Sequence, residues 1–344
     1  MIRIFVETSP GETRIAVLDG NLLQDFALWR PGLPDGVGDI HRARVIARIP
    51  AMAGAFVALP GGDGFLPESE GAISAPEGSL VAVRVIRAGQ GGKGPRLALA
   101  TEVSAQGEPG LVARGPSPLD EFIAAHPLAP VLRRPFEPAL ADQIATLAET
   151  EIALPAGMRA SIHPTPALVA IDLDTAAATA QRQPKASAQM AANLGALPAL
   201  VRQIRLRNLS GAIFVDPAGL SVSRRPKLAT ALAAALATDP LQPRLLGFTA
   251  LGLAEIVRRR VRPPLHELLA GPHAAGLAAL RAIDRETAAA PYLALGLVCT
   301  PDIAATLARD PVALPELADR TGRPLTPKSD PSLAPNTWRI ERPE

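Results

Sequence analysis

The chain has one cysteine, Cys299, only 3% aromatic residues, and no apolar run near the roughly 18 residues that would cross a bilayer. A lone cysteine excludes an internal disulfide and any multi-cysteine zinc site. With so few aromatic rings, cores must be filled by Ala, Leu, Val and Ile. The opening residues, Met1 to Glu7, lack the long apolar region of a secretory signal, so a soluble cytoplasmic protein without a membrane span is expected. An excess of charge is also missing. Lys and Arg number 35 against 33 Asp and Glu, for a net charge of +2. The sequence pI is nevertheless about 9.0. A uniformly basic, histone-like protein is thereby excluded, and an anionic partner must be met by a local patch.

What is present is a long, apolar chain: 344 residues, 48% hydrophobic, punctuated by 36 Pro and 28 Gly. That length supports several cores. Ile2 to Trp29 reads as strands with a hairpin turn at Asp19-Gly20. From Asp39 to about Thr101, short strands broken by glycine suggest a small barrel of the five-stranded, oligonucleotide-binding type. "GLVARG" reads as extended and "SPLDEFIAAHP" as a short helix. Glu137 to Glu151 has helical spacing, and two strands flank Pro155-Ala156-Gly157. Met190, Leu194, Leu197, Val201 and Ile204 mark an amphipathic helix over Ser187 to Asn208 despite Pro198. "GAIFVD" is a strand, Pro226 opens a helix, "RLLGF" is a strand and "LAEIVRRR" a helix, an alternation typical of an α/β layer. Beyond Pro272 come a helix, the strand "YLALGLVC", the helix "PDIAATLARD", and terminal strands around "GRPLT" and "TWRIE", read as a separate small α+β domain.

The stretch "ALVAIDLDTA" places Asp172 and Asp174 on one side of a strand, because residues i and i+2 project together. Two carboxylates in that position describe either a strand emerging into water or a site for a cation. Asp216 ends a second strand after one helical crossover. Strands so joined lie parallel, and their C-terminal ends meet. Hard oxygen ligands at such a place suit Mg²⁺. Three basic runs follow the same region: Arg202, Arg205 and Arg207 on one helix, Arg224, Arg225 and Lys227 before the next, and Arg258 to Arg260. Each reads as a solvated face or as part of a phosphate-binding patch. A generic metabolic α/β enzyme lacks a cofactor loop, since "GQGGKG" is not followed by a helix.

In order along the chain, "GDIHRARVIARIPAMAGAFVALPGGDGFLPE", "GGKGPRLAL", "ALVAIDLDTA", "NLGALPALVRQIRLRNLSGAIFVD" and "LGLAEIVRRRVRPPL" resemble the ribonuclease E/G family. The resemblance implies an α/β and α+β multidomain architecture. An RNase H-like fold in two segments, 1–36 and 136–165, would be interrupted by an oligonucleotide-binding β-barrel at 37–101. A shortened 5′-sensor-like region would follow at 102–135, a DNase I-like α/β catalytic domain at 166–271, and a small C-terminal α+β domain at 272–344. It also implies hydrolysis of single-stranded RNA by an endoribonuclease using Mg²⁺, or Mn²⁺ in its place, leaving 5′-phosphate and 3′-hydroxyl ends. Asp172 and Asp216 fall on the family's metal-ligating aspartates. Asp174 falls where an asparagine is usual, and the three form the catalytic set. Phe56, Phe65 and Lys93 match RNA-contacting positions of the barrel, where stacking tolerates any base; from the residues alone, the two phenylalanines also read as barrel core.

The departures from the family pattern are specific. Arg114 matches a 5′-phosphate-sensing arginine, but Gly115 replaces its threonine partner. His41 stands in for an aromatic residue, Gly219 for an aspartate and Gly195 for a glutamate. The paired-cysteine zinc link is absent, so no zinc is expected, and a homodimer would form through the small domain. A catalytically reduced RNA-binding relative is the alternative to an active enzyme.

Overall fold

Apolar residues two apart build one face of the first sheet. In Ile2–Ser9 (β1) and Glu12–Asp19 (β2), Ile4, Val6, Ile15 and Val17 share one buried face. A turn through Gly20, whose φ of 59° favours glycine, returns the chain into Leu22–Trp29 (β3). The computed structural model describes residues 1–175 and 185–342; Ala176, which closes the "ALVAIDLDTA" stretch, lies outside them, as do the last two residues of the segment 272–344.

Next comes a closed five-stranded barrel of Ile40–Ile49 (β4), Gly54–Leu59 (β5), Gly62–Pro67 (β6), Leu80–Arg87 (β7) and Arg96–Leu99 (β8). Pairing runs β4-β5-β6-β8-β7 and back to β4, so no edge is left open. Ala43, Val45, Val57, Leu66, Val83 and Leu97 fill it, small and branched residues doing what aromatics do elsewhere. Gly110–Ala113 (β9) pairs with the first residues of β4. Pro118–Ala125 (α1) is closed by a capping box of Ser117 and Asp120, and Val131–Arg133 (β10) lies parallel to β1.

Pro138–Ala145 (α2) leads into a six-stranded sheet of order β11-β12-β13-β14-β16-β15. Its strands are Glu151–Leu154 (β11), Met158–Pro164 (β12), Val169–Thr175 (β13), Gly211–Asp216 (β14), Arg244–Phe248 (β15) and Ala254–Arg258 (β16). Lys185–Leu206 (α3) crosses from β13 to β14, and Ala229–Leu236 (α4) precedes β15. Leu197, Leu200, Ile204, Leu232 and Leu236 of the helices pack on Ile162, Ile171, Ile213 and Ile256 of the sheet. The chain closes with Leu265–Leu269 (α5), Gly271–Ala289 (α6), Gly296–Cys299 (β17), Pro301–Arg309 (α7), Ala313–Thr321 (α8), Lys328–Ser329 (β18) and Trp338–Glu341 (β19).

Two compact units result, Met1–Glu137 with His266–Glu344, and Pro138–Leu265. Four expectations are corrected. The strands near Ile152 do not continue the sheet of β1 to β3; β11 and β12 pair into the sheet of β13. The C-terminal segment is not separate but shares a unit with the N-terminal one, where the Gly11 N–H donates to Glu316 Oε2 at 2.9 Å. "LAEIVRRR" is a strand, because Ala254, Ile256 and Arg258 are buried at period two between β14 and β15. Over so few residues, periods of 2 and 3.6 select nearly the same letters. "GRPLT" is not a strand; the short pairing comes later, at Lys328–Ser329.

Candidate active site and nucleic-acid face

On β13, Ile171 and Leu173 point into the core, so Asp172 and Asp174 face the other way. Strand β14 repeats the pattern with Ile213 and Val215 inward and Asp216 outward. The two strands are parallel and in register, with Asp172 opposite Asp216. Ser161 of β12 lies opposite Asp172, and Glu151 of β11 opposite Ser161, so one row across the sheet carries three acids. The carboxyl of Asp172 is held above its ordinary range by partial burial, then by repulsion from Asp216, Asp174 and Glu151, with His163 acting in the opposite sense. Asp174 Oδ1 accepts from the Thr175 N–H at 2.7 Å, which ties that carboxylate to its own strand.

Two partners near Asp216 escaped the sequence reading. Arg225 Nη1 sits 2.6 Å from Asp216 Oδ1, an ion pair off the line of a hydrogen bond, and that oxygen is shielded from water without a hydrogen-bond donor. Arg225 is held by Nε donating to the Leu220 carbonyl at 2.9 Å. Asn193, wholly buried on α3, donates to the Ala218 carbonyl at 3.0 Å and accepts from its N–H at 3.1 Å. This bidentate clasp fixes the turn after β14 and so the direction of Asp216. The only sequence signal was an amide inside an apolar helix. Gly219 follows with φ 62°, a backbone conformation that favours glycine at the position where an aspartate was expected. Gly195 has ordinary room for a small side chain, and nothing in the structure explains it.

Carboxylates opposite each other on adjacent strands, Asp172 and Asp216, are hard oxygen ligands of the kind that suit a divalent cation keeping most of its water, as Mg²⁺ does. Among the described residues, no group of three or more His, Cys, Asp or Glu forms a ready-made metal cage.

The basic runs separate once folded. Arg207 is buried, donating to the carbonyls of Glu149 at 2.6 Å and Thr146 at 2.9 Å. Arg258 is buried with Asp239, Nε to Oδ2 at 2.7 Å. Both hold the fold rather than a surface, and Arg225 belongs to Asp216. Arg205 donates to the Thr238 carbonyl, and Arg202 is half-buried, its pKa pulled down by that burial. Arg224 and Lys227 remain exposed.

On the barrel, Phe56 and Phe65 are not core. They are half-buried on the outer face, opposite each other on β5 and β6, with rings 5.6 Å apart and edge to face. Arg96 of β8 stands opposite Phe65 and extends the row, a neighbour that strand order alone reveals. Lys93 is exposed in the preceding loop. His41 is buried, its Nε2 4.0 Å from Asp39 Oδ2 and its pKa lowered chiefly by burial; it offers no stacking surface. Arg114 pairs with the same Asp39 at 3.0 Å, and Gly115 donates to that carboxylate at 2.7 Å. A Cβ on Gly115 would strike the Val37 carbonyl, so a threonine has no room.

The paired aspartates lie in a segment, residues 136–261, that matches the model of the ribonuclease E/G family. Over this segment the chain is similar to the ribonuclease E/G family. Ribonuclease G of Escherichia coli (strain K12) is 30% identical over 129 residues, 37% of this chain and 26% of that protein. Ribonuclease G of Haemophilus influenzae is 31% identical over the same length. Ribonuclease E of Nostoc sp. is 34% identical over 117 residues, 33% of this chain and 17% of that protein. The alignments thus span about a quarter or less of these relatives. The ribonuclease E/G match nearly coincides with the compact unit Pro138–Leu265 and excludes the barrel.

Proposed function

We propose that the chain is a metal-dependent endoribonuclease that cleaves single-stranded RNA in RNA processing or turnover, leaving 5′-phosphate and 3′-hydroxyl ends. The observation that carries this reading is the in-register pairing of Asp172 with Asp216 inside the segment that matches the ribonuclease family. Asp172 and Asp216 would hold Mg²⁺ or Mn²⁺, with Asp174 beside them. When bound, such a cation orients the scissile phosphate and an attacking water and offsets charge in the in-line transition state. The Asp172 carboxyl is raised first by partial burial and then by Asp216, Asp174 and Glu151, a gathering of negative charge that a cation would relieve. Arg225 and the Asn193 clasp orient Asp216 and the turn behind it. On the barrel, Phe56 and Phe65 present ring faces to bases, while Arg96 and Lys93 meet backbone phosphates.

The test is cleavage of a labelled single-stranded AU-containing oligonucleotide with Mg²⁺, with and without chelator. Asp172→Asn and Asp216→Asn should each lose about 100-fold or more in rate with unchanged far-UV circular dichroism. Full activity in both variants would remove these carboxylates from the site. Binding without cleavage under Mg²⁺ and Mn²⁺ would identify the chain as an RNA-binding relative instead.

A further inference from the structure

A second charged site lies in the unit that contains the N-terminal sheet. Glu12 of β2 is buried, its side chain 3% exposed, and three arginines converge on it. Arg14 Nε donates to Oε1 at 3.2 Å, Arg281 Nη1 to Oε1 at 2.8 Å, and Arg30 Nε and Nη2 to Oε2 at 3.1 and 3.0 Å. These guanidinium side chains are only 18%, 14% and 10% exposed. Three cations on one anion leave two positive charges in a half-enclosed place, costly unless a second anion joins them. Burial and the neighbouring Arg14 both act against the charged form of Arg281, which agrees with that excess.

The arginines line a cleft of about 460 Å³, and Glu12 is the sole acid among its walls. Among the described residues, both Nη atoms of Arg14, Nη1 of Arg30 and Nη2 of Arg281 make no hydrogen bond, and all three arginines line the cleft. The amino end of α6 opens into the same space. Its N-cap, Ala270, offers no side-chain cap, so the first N–H groups of a 19-residue helix add their partial positive charge. The lining also includes apolar side chains, Leu269, Ala275 and Ala278.

We propose that this cleft binds a phosphate monoester of nucleotide size, its phosphate on Arg14, Arg30 and Arg281 and its organic part along the apolar side chains. A monoester near neutral pH carries close to two negative charges and cancels the excess, whereas a phosphodiester cancels half of it. Guanidinium forks suit that group better than any monocarboxylate. The volume lies in the range of small-molecule sites and is far larger than bare phosphate requires. The site involves neither Asp172 nor Asp216, and its test is independent of RNA cleavage.

Isothermal titration of the full chain with adenosine 5′-monophosphate should show one saturable site, inorganic phosphate should bind more weakly, and adenosine should not bind. Arg14→Gln leaves Glu12 paired with Arg30 and Arg281, so the thermal midpoint should stay near the parent's while affinity drops about tenfold or more. Ala278→Glu, which leaves the arginines in place but puts a carboxylate on the cleft wall to compete for them, should abolish binding. No heat from the parent, or equal affinity in both variants, overturns the proposal. Competition separates the sources: displacement by 5′-phosphorylated RNA and not by its 5′-hydroxyl form extends the ligand class to RNA ends. Displacement by neither restricts it to free mononucleotides. Equal displacement by both overturns the choice of a monoester.

Discussion

Asp172 responds to its neighbours in a way that titration can read. Its carboxyl is raised by burial first and by Asp216 and Asp174 next, so Asp216→Asn should bring it down part of the way, leaving the share due to burial. Carboxyl chemical shifts in metal-free protein check this, and an unchanged midpoint would mean the two side chains do not interact. The sign for stability follows. A carboxyl raised in the folded state costs stability once the unfolded chain can ionise it more easily, so the cost is absent below the ordinary 3.8, grows between that value and the folded one, and is complete above it. Asp172 is largely exposed, which keeps that effect small. Asn193 is a different case, because Asn193→Ala would leave the buried N–H and C=O of Ala218 without partners. Chemical denaturation should show a loss of about 2–4 kcal/mol. The sequence singled out Asp172, Asp174 and Asp216 because carboxylates at strand ends are conspicuous. Asn193 was silent and Arg225 read only as part of a basic run, since what they touch lies about 25 and 9 residues away along the chain.

Among elements, the proposed RNA-binding row Phe56, Phe65 and Arg96 across β5, β6 and β8 would divide binding into two separable parts. Phe56→Ala should cost about 1–3 kcal/mol of affinity with the salt dependence kept, because stacking is uncharged. Arg96→Gln should flatten the slope of log affinity against log salt by about 0.7, the share of one single-strand phosphate contact. Fluorescence anisotropy over a salt series distinguishes them; equal slopes for Arg96→Gln and parent would take Arg96 off the RNA path. Helix α3 was legible because its apolar spacing, Met190 to Ile204, extends over about four turns, enough to outlast Pro198. β16 was misread because five residues cannot separate the two periods, and burial on both sides by β14 and β15 decided it.

At the level of the molecule, the ribonuclease E/G segment is also a folding unit. Pro138–Leu265 has its own sheet, helices on one face and a continuous core from Ile152 to Ile256. Expressed alone, it should give one cooperative thermal transition by circular dichroism and a dispersed amide spectrum. A fragment that aggregates or stays unfolded would show that the other unit is required. Glu12 makes the converse point within Met1–Glu137 with His266–Glu344, where it is bonded to Arg281 across 269 positions.

By itself the sequence determined the local terms: which stretches alternate, where glycine and proline break them, that a small barrel follows the first hairpins, and that Asp172 and Asp216 end strands linked by one helix. Those features depend on neighbours a few residues apart, and a linear reading contains them. Tertiary structure decided which strand joins which sheet, which arginines are buried, and which positive charges gather without enough negative ones. Arg207 and Arg258 look like Arg224 on the page, yet two are enclosed by carbonyls and a carboxylate while the third meets water. Burial and pairing arise from residues distant in sequence, and they set the charge and solvation on which the chemistry depends.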